Sequence, residues 1–121
     1  MKENVLIVEL GTQVLRAGVV APDGRILAVE EEPLEVESPF AGWAQQRPDA
    51  WWESCVRAIR RLGQNPDTPV DSILAICCCG QMHGPVGLDE AGLVTTVWTQ
   101  IWCDRRCEAQ EIGRASCRER V

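Results

Sequence analysis

Ile73-Leu74-Ala75-Ile76-Cys77-Cys78-Cys79-Gly80-Gln81-Met82-His83-Gly84 is an unbroken apolar run closed by a glycine-bracketed turn that holds the chain's only histidine. An apolar run of this length without polar alternation predicts a central strand buried on both faces. The carboxyl ends of such strands are where α/β proteins place binding sites. Gln81 and His83 can exchange hydrogen bonds with hydroxyls, and Met82 adds a soft apolar wall, a set suited to a sugar or polyol. A plain surface turn in which His83 satisfies a local backbone group fits the same residues.

Upstream, Pro48 suits the first position of a helix, and Asp49 and Glu53 lie near its positive end. Trp52, Cys55, Val56, Ile59 and Leu62 follow helical spacing and predict the buried face, Arg57, Arg60 and Arg61 point elsewhere, and Gly63 supplies a stop. This helix carries the chain back to the Ile73–Cys79 strand. Before it, residues 33–47 are rich in proline, glycine and acids and read as a long ordered loop anchored by Phe40 and Trp43.

The N-terminal third reads as a three-strand antiparallel meander. Asn4 to Leu10 and Val14 to Ala21 flank Gly11-Thr12-Gln13, and Asp23-Gly24 leads into Arg25 to Glu31 through an expected type I′ turn. In the first turn, backbone amides, a hydroxyl and a glycine that permits close approach could cradle a phosphate, with Arg16 nearby favouring an anion. An ordinary hairpin turn explains the same residues. Beyond the histidine, Val86 to Leu88 and Leu93 to Val97 suggest a hairpin around Asp89-Glu90-Ala91-Gly92, and Trp98 to Trp102 runs on towards Asp104.

The composition bounds the function. The chain's 121 residues, 45% hydrophobic, suit one domain or part of one. A net charge of −6 from 18 acidic and 12 basic residues argues against a nucleic-acid partner. The N-terminus lacks the layout of a signal peptide or spanning helix, so the expected location is cytoplasmic with no membrane partner. Seven cysteines, three of them adjacent in a strand, cannot share one disulfide framework and are expected as packed, reduced thiols. Cys103 and Cys107 have helical spacing but nothing nearby completes four ligands, so no metal site is directly legible.

Four segments in order resemble the FGGY carbohydrate kinases, the xylulokinases above all: Val8-Glu9-Leu10-Gly11-Thr12 with Arg16, Gly42-Trp43-Ala44-Gln45-Gln46-Arg47-Pro48 with Trp51-Trp52, Gly80-Gln81-Met82-His83-Gly84, and Trp102-Cys103-Asp104-Arg105. The resemblance implies an α/β fold of the actin-like ATPase (ribonuclease H-like) type, truncated to meander, helix, parallel central strand and hairpin. It implies ATP-dependent phosphorylation of a sugar or polyol hydroxyl, with xylulose or a related ketose foremost, and ATP and Mg²⁺ as cofactors. By residue, it implies Gly11, Thr12, Gln13 and Arg16 at the nucleotide phosphates, Glu9 near the metal and transferred group, and Gln81, Met82, His83 and Asp104 at the sugar.

The family's catalytic base is an aspartate in a segment this sequence does not contain, and its second domain is likewise absent, so the chain is not expected to act alone. Glu9 stands where the family has aspartate, which moves the carboxylate outward by about one bond and alters metal geometry. Cys103, a poor donor, replaces a polar residue that is usually Asn, which leaves room for a substrate other than xylulose. Residues 1–110 are thus expected to form part of an N-terminal kinase domain, and homodimerisation of a full-length protein stays open. Residues 111–121 can be encoded by a string resembling a sequencing adapter, and we expect them to be a non-native tail. Two other readings are a non-catalytic sugar-binding or regulatory protein of the same fold, and a small module using Trp43, Trp51 and Trp52 as an exposed anchor. An unpaired sheet edge and uncovered apolar faces predict marginal stability and self-association.

Overall fold

Alternating apolar residues in the first third of the chain build a meander. The computed structural model describes residues 2–108, and within them β1 (Asn4–Leu10), β2 (Val14–Val20) and β3 (Ile26–Pro33) pair antiparallel in sequence order. The boundaries at 110 and the tail at 111–121 lie outside the described residues. Period-two alternation sends Leu6, Val8, Leu15, Ala17 and Val19 to one face, where they are buried. Ile7, Glu9, Arg16 and Gly18 lie on the other face, along a shallow cavity.

The β2–β3 connection is not the expected type I′ turn, because Gly24 has φ 87° while Asp23 keeps a negative φ. Gly24 N–H donates to Ala21 O at 2.9 Å and Ala21 N–H to Arg25 O at 2.9 Å. This is a three-residue loop with glycine in the left-handed position, and the register shifts just beyond it. Pro22, with φ fixed at about −65°, suits the first central position of a type I turn, which leaves Gly24 as the left-handed residue that closes the loop.

The helix α1 (Pro48–Leu62) begins at the expected proline. Its buried residues are Pro48, Ser54, Ala58 and Leu62, with Trp51, Cys55 and Ile59 packed against the same core. Trp52, expected in the core, is 71% exposed. The inward stripe is rotated because the meander packs against the side of the helix bearing small residues, and Arg57 and Arg61 then meet β3 instead of pointing away from it. Arg57 Nε donates to Glu32 at 2.7 Å, and Arg61 bonds both Glu30 and Glu32. These contacts hold the Glu32 carboxyl below its ordinary range, Arg57 foremost and Arg61 next. Gly63 ends the helix with φ −67°, so it is no left-handed cap. A side chain there would crowd Val70, with its Cβ 3.3 Å from Cγ2.

After one 3₁₀ turn, Val70–Ser72, strand β5 (Ile73–Gly80) lies parallel to β1 as expected. Numbering as β4 the short strand Gln45–Gln46 that precedes the helix, the sheet order is β3-β2-β1-β5. The strand is therefore an edge, not a central strand, and it is exposed along most of its length. Cys77, Cys78 and Cys79 are exposed thiols, not packed ones, because no described element covers β5. Its apolar run anticipates neighbours that residues 2–108 do not supply.

The expected 33–47 loop is ordered by pairing. Glu37 bridges Gln45, and β4 pairs antiparallel with β6 (Thr99–Gln100). Its buried anchors are Leu34 and Ala44, whereas Phe40 is exposed and meets Trp43 edge-on. The expected 86–97 hairpin is reduced to one bridge, Leu88 to Val94. Thr96 Oγ1 takes the Gly87 N–H at 2.5 Å, so a side chain replaces the ladder bond.

Candidate functional site

Parallel pairing brings the carboxyl ends of β1 and β5 side by side, with Leu10 opposite Gly80. Gly80 is required by this approach: a Cβ there would lie 2.6 Å from Leu10 Cβ and 2.7 Å from its carbonyl oxygen. Pairing continues one residue further, since Gln81 N–H donates to Leu10 O at 3.0 Å. An open cleft of about 580 Å³ lies over these ends.

Glu9, Gly11 and Thr12 form one wall of the cleft, Gln81, Met82 and His83 the other, and Trp102 closes a side. Among the described residues His83 is the one non-glycine with positive φ, 63°. Histidine is among the residues that tolerate this region, at a cost of about 1 kcal/mol. Such local strain is what binding sites accumulate.

At the first turn, Gly11 N–H donates to Val14 O at 3.0 Å. Among the described residues the Thr12 and Gln13 N–H groups have no acceptor. The Trp102 indole donates to Thr12 Oγ1 at 2.8 Å, which leaves the threonine its own hydroxyl proton to give. Two open amides and a hydroxyl form a donor set that fits a phosphate.

Glu9 and Arg16 face each other across β1 and β2 and bond at 3.2 Å, while Arg16 Nε reaches Glu31 at 2.7 Å. Glu31 first and Glu9 second raise the guanidinium's pKa. Arg16 therefore lies on the open sheet face, already held by two carboxylates and outside the cleft. Gln13 is exposed at the turn, and its carbonyl accepts from Leu34 N–H at 2.8 Å.

Asp104 also stands apart from the cleft. Its side chain is 2% exposed, with Arg106 on both oxygens and the Ala44 N–H donating at 2.7 Å. Burial alone would raise its pKa, but the Arg106 bonds, then the Ala44 and Arg106 amides, bring it down to about 2. Arg106 in turn lies 3.6 Å over the Trp43 ring. This cluster fastens the segment after β6 to the 33–47 loop. It also leaves Trp43, like Trp51, half-buried, so the three tryptophans form no common exposed anchor; Trp52 alone of them is exposed.

Two residues were missed. Trp102 and Gln46 both belonged to family-like motifs, yet only the fold brings Trp102 over Thr12. Gln46 is 2% exposed, and its amide meets Thr12, Glu35, Trp51 and Gln81. A glutamine in a proline-rich loop carries no local signal of such a role. Gln81 itself uses Nε2 on Gly11 O and Gln46 Oε1, which leaves its Oε1 buried without a partner among the described residues. Such an acceptor costs about 1–3 kcal/mol. A second cavity of about 450 Å³ lies on the far side of Gln46, between Leu34 and Trp51, and holds none of the other residues singled out for ligands.

Comparison with known proteins bears on this arrangement. The model of the FGGY family of carbohydrate kinases, N-terminal domain, matches residues 4–114. The xylulose kinase of Escherichia coli K12 is 33% identical over 104 residues, 86% of this chain and 21% of that protein. The glycerol kinase of Nitrosomonas eutropha is 26% identical over 86% of this chain and 21% of its own length. Among solved structures, the "xyloylose kinase" of Brucella ovis superposes with TM-score 0.81 at 29% identity, covering 95% of this chain and 24% of that one. The chain spans about a fifth of the length of the curated relatives it matches.

Proposed function

Because the chain belongs to the FGGY family of carbohydrate kinases, with their actin-like ATPase fold, we propose that it forms the ligand-facing part of an enzyme that phosphorylates a hydroxyl of xylulose or a related ketose. The observation that carries this reading is the single cleft in which Glu9, Gly11 and Thr12 lie across from Gln81, Met82 and His83. When bound, ATP with Mg²⁺ supplies the phosphoryl group and the charge neutralisation that such transfers need. The Thr12 and Gln13 amides and the Thr12 hydroxyl would orient its phosphates, and Glu9 would hold the metal.

His83 would bond sugar hydroxyls, and Met82 and Trp102 would line the apolar side of the ring or chain. Alignment of the two reactants is the chief contribution these residues can make. The proton acceptor for the hydroxyl would come from an aspartate outside this chain. Cytoplasmic residence belongs to the same reading; no described helix is long and apolar enough to cross a membrane.

One observation favours the non-catalytic alternative: the Glu9 carboxylate is already bonded to Arg16 at 3.2 Å. The protein of the intact reading frame, assayed with ATP, Mg²⁺ and a panel of ketoses, separates the two. Ketose-dependent ADP release is the expected result. Sugar binding with no ADP release would overturn the kinase reading.

A further inference from the structure

We propose that Gln46 is a positioning residue that, by its own bond to Thr12 O and through Gln81 at Gly11 O, fixes the Gln13 and Thr12 amides with their N–H groups turned away from the glutamines before any ligand arrives. The inference rests on the reading of this turn as an anion site. Gln46 touches no part of the cleft surface itself. Its Nε2 donates to Thr12 O at 2.7 Å and to Glu35 O at 3.1 Å, and its Oε1 accepts from Trp51 Nε1 at 3.1 Å and from Gln81 Nε2 at 2.7 Å. The second Gln81 amide proton goes to Gly11 O at 3.2 Å.

The two glutamines thus hold two successive carbonyls of the turn. In a trans peptide the C=O of one residue and the N–H of the next point to opposite sides of the chain. Pinning Gly11 O therefore turns the Thr12 N–H away from the glutamines, and pinning Thr12 O does the same for Gln13 N–H. These are the two amides without an acceptor among the described residues. Neither glutamine can flip, since each would then set an oxygen against carbonyl oxygens or a nitrogen against donors. The unpartnered Gln81 Oε1 is the consequence of that locked orientation.

Gln46→Glu tests this without changing volume. Its second oxygen would face the Thr12 and Glu35 carbonyls, so only the protonated acid, with one donor, reproduces the native contact. Burial and those carbonyls raise its pKa, against the Trp51 and Gln81 N–H donors on the other oxygen, so the variant is native-like below that pKa and disrupted above it. Glu35, Glu37, Arg47, Glu53 and Arg57 surround the adjoining cavity in wild type and variant alike, so wild type controls for their titration.

The readouts, on the full chain, are the Gln13 amide NMR signal and the affinity for Mg·ATP between about pH 5 and pH 8. We expect both to switch at one midpoint in Gln46→Glu, with affinity about tenfold weaker on the high-pH side. Wild type should lack that shared midpoint, and in Gln46→Ala both should be altered at every pH. A Gln46→Ala chain that does not fold leaves the decision with Gln46→Glu. A Gln13 signal that ignores the variant, or one that moves while Mg·ATP affinity stays constant, overturns the proposal. If wild type binds no Mg·ATP, the anion reading of the turn fails, and the Gln13 signal alone then decides whether Gln46 orients the amide.

Discussion

Replacing Asp104 with Asn removes one negative charge and leaves the shape of the Arg106–Trp43–Ala44 cluster intact. The carboxyl's pKa is depressed from 3.8 to about 2, in spite of burial that opposes ionisation, by Arg106 and the two backbone amides. That difference corresponds to about 2 kcal/mol of folded-state preference for the carboxylate. The stabilisation is fully present above the unfolded value of 3.8 and is lost as pH falls through it towards about 2. Asp104→Asn should therefore cost about 2 kcal/mol near pH 7, seen as a urea midpoint lower by about 1–2 M at a slope of about 1–2 kcal/mol/M. Circular dichroism in urea at neutral pH and again near pH 2 is the assay. Equal midpoints at neutral pH, or a gap that persists undiminished near pH 2, would refute the reasoning.

Gly24→Ala, with no atom within 4 Å of the new Cβ, should cost about 1 kcal/mol of backbone strain, whereas Gly80→Ala, also at a positive φ, should add overpacking against Leu10 and destabilise by about 2–4 kcal/mol in all; the difference between their thermal melts isolates the contact. Glu32→Gln should lose about 1–2 kcal/mol from the two arginine contacts. Because the Glu32 pKa is lowered from 4.5, that loss should be present at neutral pH and fade as pH drops below 4.5, which urea titrations at two pH values would show. Ile76→Lys, at a side chain 65% exposed on the sheet edge, should reduce self-association in light scattering while leaving the melting temperature within a degree or two; unchanged scattering would remove β5 as the sticky edge.

Much of this chain was legible residue by residue. Alternation placed the meander, Pro48 marked the helix start, and the run into Gly80 gave a strand whose closing turn lines the cleft. These are local signals, written in spacings of a few residues, and the resemblance of four short motifs extended them to a family.

What the sequence alone determined, then, was the meander, the helix and the strand into Gly80, their order, and the residues of the two turns at the cleft. Only the tertiary structure decided which side of the helix faces inward, since Trp51 and Trp52 satisfy a helical pattern almost equally and the meander's shape chooses between them. It likewise exposed β5, because burial of a strand depends on neighbours rather than on its own apolarity. The commitments of Gln46 and Asp104 were hidden for the same reason. Their partners lie as far as 35 and 60 residues away, and a polar side chain's role is set by what the fold brings within 3 Å of it.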